Sequence, residues 1–147
     1  CRFVVGSFLE LPFADRTFDA VVCIRLIMHS ESWPRIISEL CRVARHTVVL
    51  DYPMTSPLAQ RFFGAKKRLE KNTRHWRSFR HEEVADAFAQ NGFSAGGRRG
   101  QFFFPMVLHR TLQQRWFSSA LEGASGLLGL NQRWGSPVLA RFDRSAS

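Results

Sequence analysis

Residues 18–24, Phe-Asp-Ala-Val-Val-Cys-Ile, constrain this chain most. After Asp19 the run is continuously apolar, without the period-two alternation of a strand that faces water on one side. A run of this kind fits a parallel strand covered on both faces. The next thirty residues complete a folding unit around it. Ser32-Trp33-Pro34 reads as a helix start, with Ser32 as N-cap and a proline in the first turn. Trp33, Ile36, Ile37, Leu40, Val43 and Ala44 then recur at helical spacing, which leaves Arg35, Ser38, Glu39 and Arg42 toward water. Thr47-Val48-Val49-Leu50 is the next buried strand, ended by Asp51-Tyr52-Pro53. Strand, helix and strand joined by short links make a right-handed parallel crossover.

On the N-terminal side, Arg2-Phe3-Val4-Val5 is a short strand-like run ended by Gly6. On the C-terminal side a helix is expected over 56–71, with Leu58, Phe62, Ala65 and Leu69 on one face, and a loop over 72–77. Ser78 starts a further helix with Val84, Ala85, Phe88 and Ala89 inward and Asn91-Gly92 as its stop. Gly96-Gly97 is expected to break the chain before a strand over 101–104. A helix through Val107, Leu108, Leu112, Trp116, Ala120 and Leu121 frays at the Gly- and Leu-rich residues 123–130, and 137–142 is the last strand. The order β, β-α-β, α-α-β, α-β gives an α/β class with a mainly parallel sheet.

A chain of 147 residues with 45% apolar content is one domain's worth and can bury a core. Three scattered cysteines give no disulfide framework, and Cys23 and Cys41 read as small buried hydrophobes. The five histidines fall at no zinc-ligand spacing, so no metal is expected. A cytoplasmic location fits this cysteine usage and the lack of a membrane-span-length apolar run. The net charge of +9 is concentrated between Arg61 and Arg80, where eight cations face Glu70 alone.

Several spaced signals together resemble a class I S-adenosylmethionine-dependent methyltransferase of the small-molecule, type 11-like kind. They are Gly6-Ser7-Phe8, Leu11-Pro12-Phe13, Phe18-Asp19-Ala20-Val21, Glu39-Leu40-Cys41-Arg42-Val43, a strand ending at Pro53, and Asn91-Gly92-Phe93. The resemblance implies a Rossmann-like sheet of strand order 3-2-1-4-5-7-6 with an antiparallel seventh strand. This chain would supply strands 3 to 7 and lack the first two, as the C-terminal portion of a single methyltransferase domain over 1–147. In that portion the 4-5-7-6 sheet is expected intact, and residues 2–5, without their native neighbour, either swing over to pair with the fourth strand or stay loose. The glycine-rich cofactor turn would lie upstream of Gly6, so the chain alone is expected to offer only part of the cofactor's walls and to be inactive by itself.

The resemblance also implies site residues. Ser7 and Phe8 stand where the family grips the adenine of S-adenosylmethionine, with a neutral hydroxyl in place of a carboxylate. Cys23 and Ile24, at the fourth-strand end, supply backbone contacts to the methionine part. His29, just beyond that end, is placed to take a proton from an acceptor, or else caps the helix start. Tyr52 lines the acceptor site or packs at the strand end. Arg25 meets an acidic group on a ligand or stands in a solvated loop. The implied activity is methyl transfer to a small, apolar or lipid-like acceptor.

The basic, aromatic-interleaved stretch over 54–80 reads as an inserted helix-loop or lid. It fits a solvated helical face, a surface for an amphiphilic acceptor or the anionic membrane that holds it, or an RNA contact with Trp76 as a stacking platform. The rival to an enzyme is thus a non-catalytic interaction domain that binds RNA or anionic lipid through 61–80.

Overall fold

The computed structural model describes residues 1–54, 77–100 and 136–145. Four strands form one sheet: β1 (Phe18–Cys23), β2 (Ala44–Tyr52), β3 (Phe93–Gly100) and β4 (Val138–Arg144), in the order β1-β2-β4-β3. Two α-helices accompany them, α1 (Trp33–Val43) and α2 (His81–Ala89), with a 3-10 turn at Ile27–His29. β1 and β2 are parallel, with Val21 opposite Val48 and Cys23 opposite Leu50. β4 lies antiparallel between β2 and β3. This is the 4-5-7-6 half of the expected sheet.

The crossover forms for the reasons read from its residues. Pro34 occupies the first turn of α1, where its missing N–H costs no bond. Ser32 stands at the N-cap without a side-chain cap; its carbonyl accepts from Arg35 N at 3.0 Å and Ile36 N at 3.2 Å. Ile36, Ile37, Leu40 and Cys41 of α1 and Val84, Ala87 and Phe88 of α2 are buried in one core with the sheet. The sheet meets them with Val48, Leu50 and Tyr52 of β2 and their register partners Phe142, Ala140 and Val138 of β4. Phe88 and Phe142 stack with centroids 3.9 Å apart. Gly92, at φ +75°, ends α2 and turns the chain into β3, as the Asn91-Gly92 signal indicates.

The opposite face carries the alternate residues. Val22 is 66% exposed, and Ala20 is also exposed. Farther across, Thr47 Oγ1 donates to Asp143 Oδ1 at 2.8 Å, and Arg141 pairs with the same carboxylate at 2.7 Å. The expectation of a strand covered on both faces therefore holds for one face of β1 only.

Other expectations change as well. Residues 2–5 take the loose alternative expected for a strand-like run without its neighbour: they form no strand, and Phe3 and Val5 are 95% and 100% exposed. Gly96-Gly97 does not break the chain. β3 runs through it, paired to β4 on both sides of a register shift between Ala95 and Gly97, because a bulge absorbs glycine where a partner strand supplies the bonds. The second helix starts at His81 rather than Ser78, where Arg80 N donates to Glu83 Oε2 at 3.1 Å. The strand over 101–104, the helices over 56–71 and 107–121 and nearly all of the basic stretch lie outside the described residues. The two ends of that stretch do meet: Phe79 N donates to Pro53 O at 2.9 Å, and Met54 and Phe79 form a parallel bridge.

Candidate functional site at the carboxyl edge of the sheet

Ligands of open α/β sheets bind beyond the carboxyl ends of parallel strands. At the end of β1, Cys23 is buried, and burial, with the nearby Asp51 carboxylate, pushes its thiol up to about 11. A thiol so placed stays protonated and is no nucleophile. Ile24 comes next at 51% exposure, and Arg25 adopts a left-handed φ of 56°. That conformation is unusual for a residue with a side chain. Asp51, buried at the end of β2, holds it by accepting from Arg25 N at 2.5 Å. Asp51 thus fixes the turn to which the cofactor's methionine part was assigned, a role the sequence reading missed. His29 is exposed at the end of the 3-10 turn just beyond.

Tyr52, expected at the acceptor site, is fully buried, and its hydroxyl lies 2.6 Å from His81 Nδ1. The ring packs edge-on against Phe79, and His81 stacks between Tyr52 and Phe142. Burial and then the Arg98 charge lower the His81 pKa, and burial raises that of Tyr52 to about 12. The pair is therefore two neutral groups sharing one hydrogen bond. Of the two alternatives read for Tyr52, the geometry supplies the packing one, and the partly exposed His81 is the member of the pair that reaches the surface.

Ser7 and Phe8 stand exposed on the segment that leads into β1. Ser7 Oγ accepts from Leu9 N at 3.2 Å, which leaves its proton and a second lone pair for a ligand. Phe8 presents a ring that is 54% exposed. At Gly6 the chain passes Pro12 so closely that a Cβ would lie 2.8 Å from Pro12 Cδ, so only glycine fits there.

The rest of this segment is held by α1. Glu39, expected in solvent, is buried and accepts from Leu11 N at 2.9 Å. Arg42, also expected in solvent, donates to Leu11 O at 3.0 Å, Phe13 O at 2.8 Å, Asp15 Oδ1 at 2.8 Å and Glu39 Oε2 at 2.8 Å. Arg35 Nε adds a bond to Leu9 O at 3.2 Å. The hydrogen bond and charge of Arg42 hold the Glu39 carboxyl down at about 2, against the cost of burial. The spacing of 35, 39 and 42 along one helix face was the available signal.

The residues present suit one side of an S-adenosylmethionine site: an exposed hydroxyl and an aromatic face for a base, and a pinned strand-end turn beside exposed Ile24. Among the described residues, no group of three or more His, Cys, Asp or Glu is arranged to hold a metal ion. No helix among them is long and apolar enough to cross a membrane.

Comparison with known proteins bears on the fold that carries these residues. The family model of the methyltransferase domain matches residues 1–50. A stretch of 44 residues is 41% identical to the sterol 24-C-methyltransferase ERG6B of Gibberella zeae, covering 30% of this chain and 12% of that protein. A SAM-dependent methyltransferase of Thermotoga maritima, described as a possible histamine N-methyltransferase, superposes with a TM-score of 0.67 at 16% identity, over 97% of this chain and 64% of that one. The magnesium protoporphyrin IX methyltransferase of Synechocystis PCC 6803, solved with bound SAH, gives 0.63 at 15% identity, over 97% of this chain and 51% of that one. The chain has a SAM-dependent methyltransferase-like fold of the class I, Rossmann-like type, and it spans about half to two thirds of the length of these two structures and a small part of the sterol enzyme.

Proposed function

We propose that this chain forms the C-terminal part of an S-adenosylmethionine-dependent methyltransferase that acts on a small, apolar or lipid-like acceptor. The observation that carries the reading is a coincidence of place. The methyltransferase-domain match falls on residues 1–50, and that stretch holds Ser7, Phe8, Cys23, Ile24, Arg25 and His29, most of them exposed. The sterol methyltransferase likeness supports an apolar acceptor, as do Val22 and Ile24 standing open at the end of β1.

S-adenosylmethionine supplies an electrophilic sulfonium methyl for in-line displacement, so the protein's share is orientation and exclusion of water. In this reading Ser7 accepts from the adenine amine and Phe8 packs on the base. The backbone of Cys23 and Ile24, fixed through Asp51, meets the methionine part. His29 takes a proton where the acceptor must lose one. Arg25 meets an acidic group, and Tyr52 serves through His81.

An NMR titration of the ¹⁵N-labelled chain with S-adenosylhomocysteine tests this. The expected outcome is shifts at Ser7, Phe8, Cys23 and Ile24, with a Kd on the order of 1 mM. Shifts confined to other residues, or none at several millimolar, would sink the reading.

A further inference from the structure

We propose that Arg35, Glu39 and Arg42 of α1 are positioning residues, which grip the backbone of residues 9–15 and so fix where Ser7 and Phe8 stand. The proposal rests on the methyltransferase reading above for what Ser7 and Phe8 meet.

The segment has little structure of its own. Its internal backbone bonds among those described are Glu10 N to Ser7 O at 3.3 Å and Phe13 N to Leu11 O at 2.8 Å. Several of its other polar groups turn to the helix instead. Leu9 O goes to Arg35, Leu11 N to Glu39, and Leu11 O, Phe13 O and the Asp15 carboxylate to Arg42. Arg16 N closes the far end on Arg42 O at 2.8 Å. Paired backbone groups are what a partly buried loop requires, and here side chains of one helix supply what a sheet ladder supplies elsewhere.

The residue types match the task. A planar guanidinium offers five donors in a fixed fork, so Arg42 serves two carbonyls and two carboxylates at once, which an ammonium on a flexible stem does not reproduce. Glu39 is charged, buried and flanked by Arg42 at 2.8 Å and Arg35 at 3.8 Å, so it acts as the fixed acceptor around which both cations are ordered. The helix is itself anchored to the sheet through Ile36, Ile37 and Leu40. The position of the segment relative to β1 is therefore set by α1.

The test compares amide exchange and S-adenosylhomocysteine titration in the intact chain and in Arg42→Lys, which keeps the charge and loses the fork. The expected result is exchange at Leu11 and Phe13 faster by ~10-fold or more and a Kd weaker by ~10-fold, with Val48 and Leu50 exchanging at the parent rate. Arg45→Ala, which breaks the exposed Arg45–Asp19 pair, is expected to change neither. Unchanged exchange at Leu11 and Phe13 in Arg42→Lys would overturn the proposal. If that variant unfolds, Arg35→Ala removes the grip on Leu9 O and the longer contact with Glu39 while leaving Arg42 in place. Faster exchange at Leu9 with the sheet intact then supports the proposal, and parent-like exchange overturns it. If the ligand shifts nothing in the parent chain, the methyltransferase reading fails, and exchange alone decides whether α1 holds the segment.

Discussion

The two faces of one sheet differ more than any two elements of this chain. Toward α1 and α2, Val48, Leu50, Tyr52 and Phe142 have no exposed surface at all. On the other side, Val22 of β1 is 66% exposed, and Arg141 and Asp143, the two neighbours of Phe142 in β4, form an ion pair in reach of water. Neighbours in sequence thus differ from full burial to open surface, because a strand turns successive side chains to opposite faces. The difference teaches that the apolar run of β1 reports what a strand is composed to meet, whereas the described structure meets it on one side only.

The sharpest way to break this contrast is a pair of truncations. Phe88→Ala removes a ring stacked on Phe142 and is expected to cost about 3–5 kcal/mol in urea unfolding, whereas Val22→Ala is expected to stay within about 0.5 kcal/mol. A cost above about 2 kcal/mol for Val22→Ala would show that the second face is covered in solution.

Next in size is the buried carboxylate that ties the segment before β1 to the helix. Glu39→Ala leaves Leu11 N without its acceptor and takes one carboxylate from Arg42, and it is expected to cost about 2 kcal/mol. Its pH dependence has a definite sign. With a folded pKa near 2 against an ordinary 4.5, Glu39 stabilises fully above pH 4.5, and its contribution is lost as pH falls from there toward 2. Thermal melts across that window are expected to decline less steeply in Glu39→Gln than in the parent.

A smaller effect is expected from Tyr52→Phe, about 1 kcal/mol, since one hydrogen bond to His81 is lost while the ring stays packed. The lowered pKa of His81 means that folding favours its neutral form. Its contribution is present above pH 6.5 and is lost as pH falls below that value. An NMR titration of the His81 ring in parent and Tyr52→Phe chains checks this. The smallest effect belongs to Arg45→Ala, expected within about 0.5 kcal/mol in the same unfolding assay, because the Arg45–Asp19 pair is exposed on both sides.

The core crossover was legible because its signals are local: an unbroken apolar run, a proline in a first turn, and apolar residues at helical spacing. β3 was less so, since Gly96-Gly97 speaks against a strand and only the pairing with β4, distant in sequence, overrides that preference. Residues 2–5 fail the other way, with strand-like composition and no partner. Glu39 and Arg42 were legible as a motif but not in what they touch. A polar helix face that grips loop backbone has the same composition as one that faces water, and backbone acceptors leave no mark in the sequence. In the candidate site, Ser7, Phe8, Ile24, Arg25 and His29 fall on exposed positions, while Tyr52 follows Val48 and Leu50 at period two into the core, where its hydroxyl meets a His81 that no local signal announces.

The closed stem at Pro53, Met54 and Phe79 has a counterpart, for Gly100 lies opposite Val138 in the β3–β4 pairing, and Met54 N donates to Ser136 Oγ at 3.2 Å. Chain therefore departs from and rejoins the sheet at two adjacent gates on a single rim, each latched by bonds among residues outside the intervening segments. What holds both gates shut is therefore legible in the described residues alone, whatever chain runs between them.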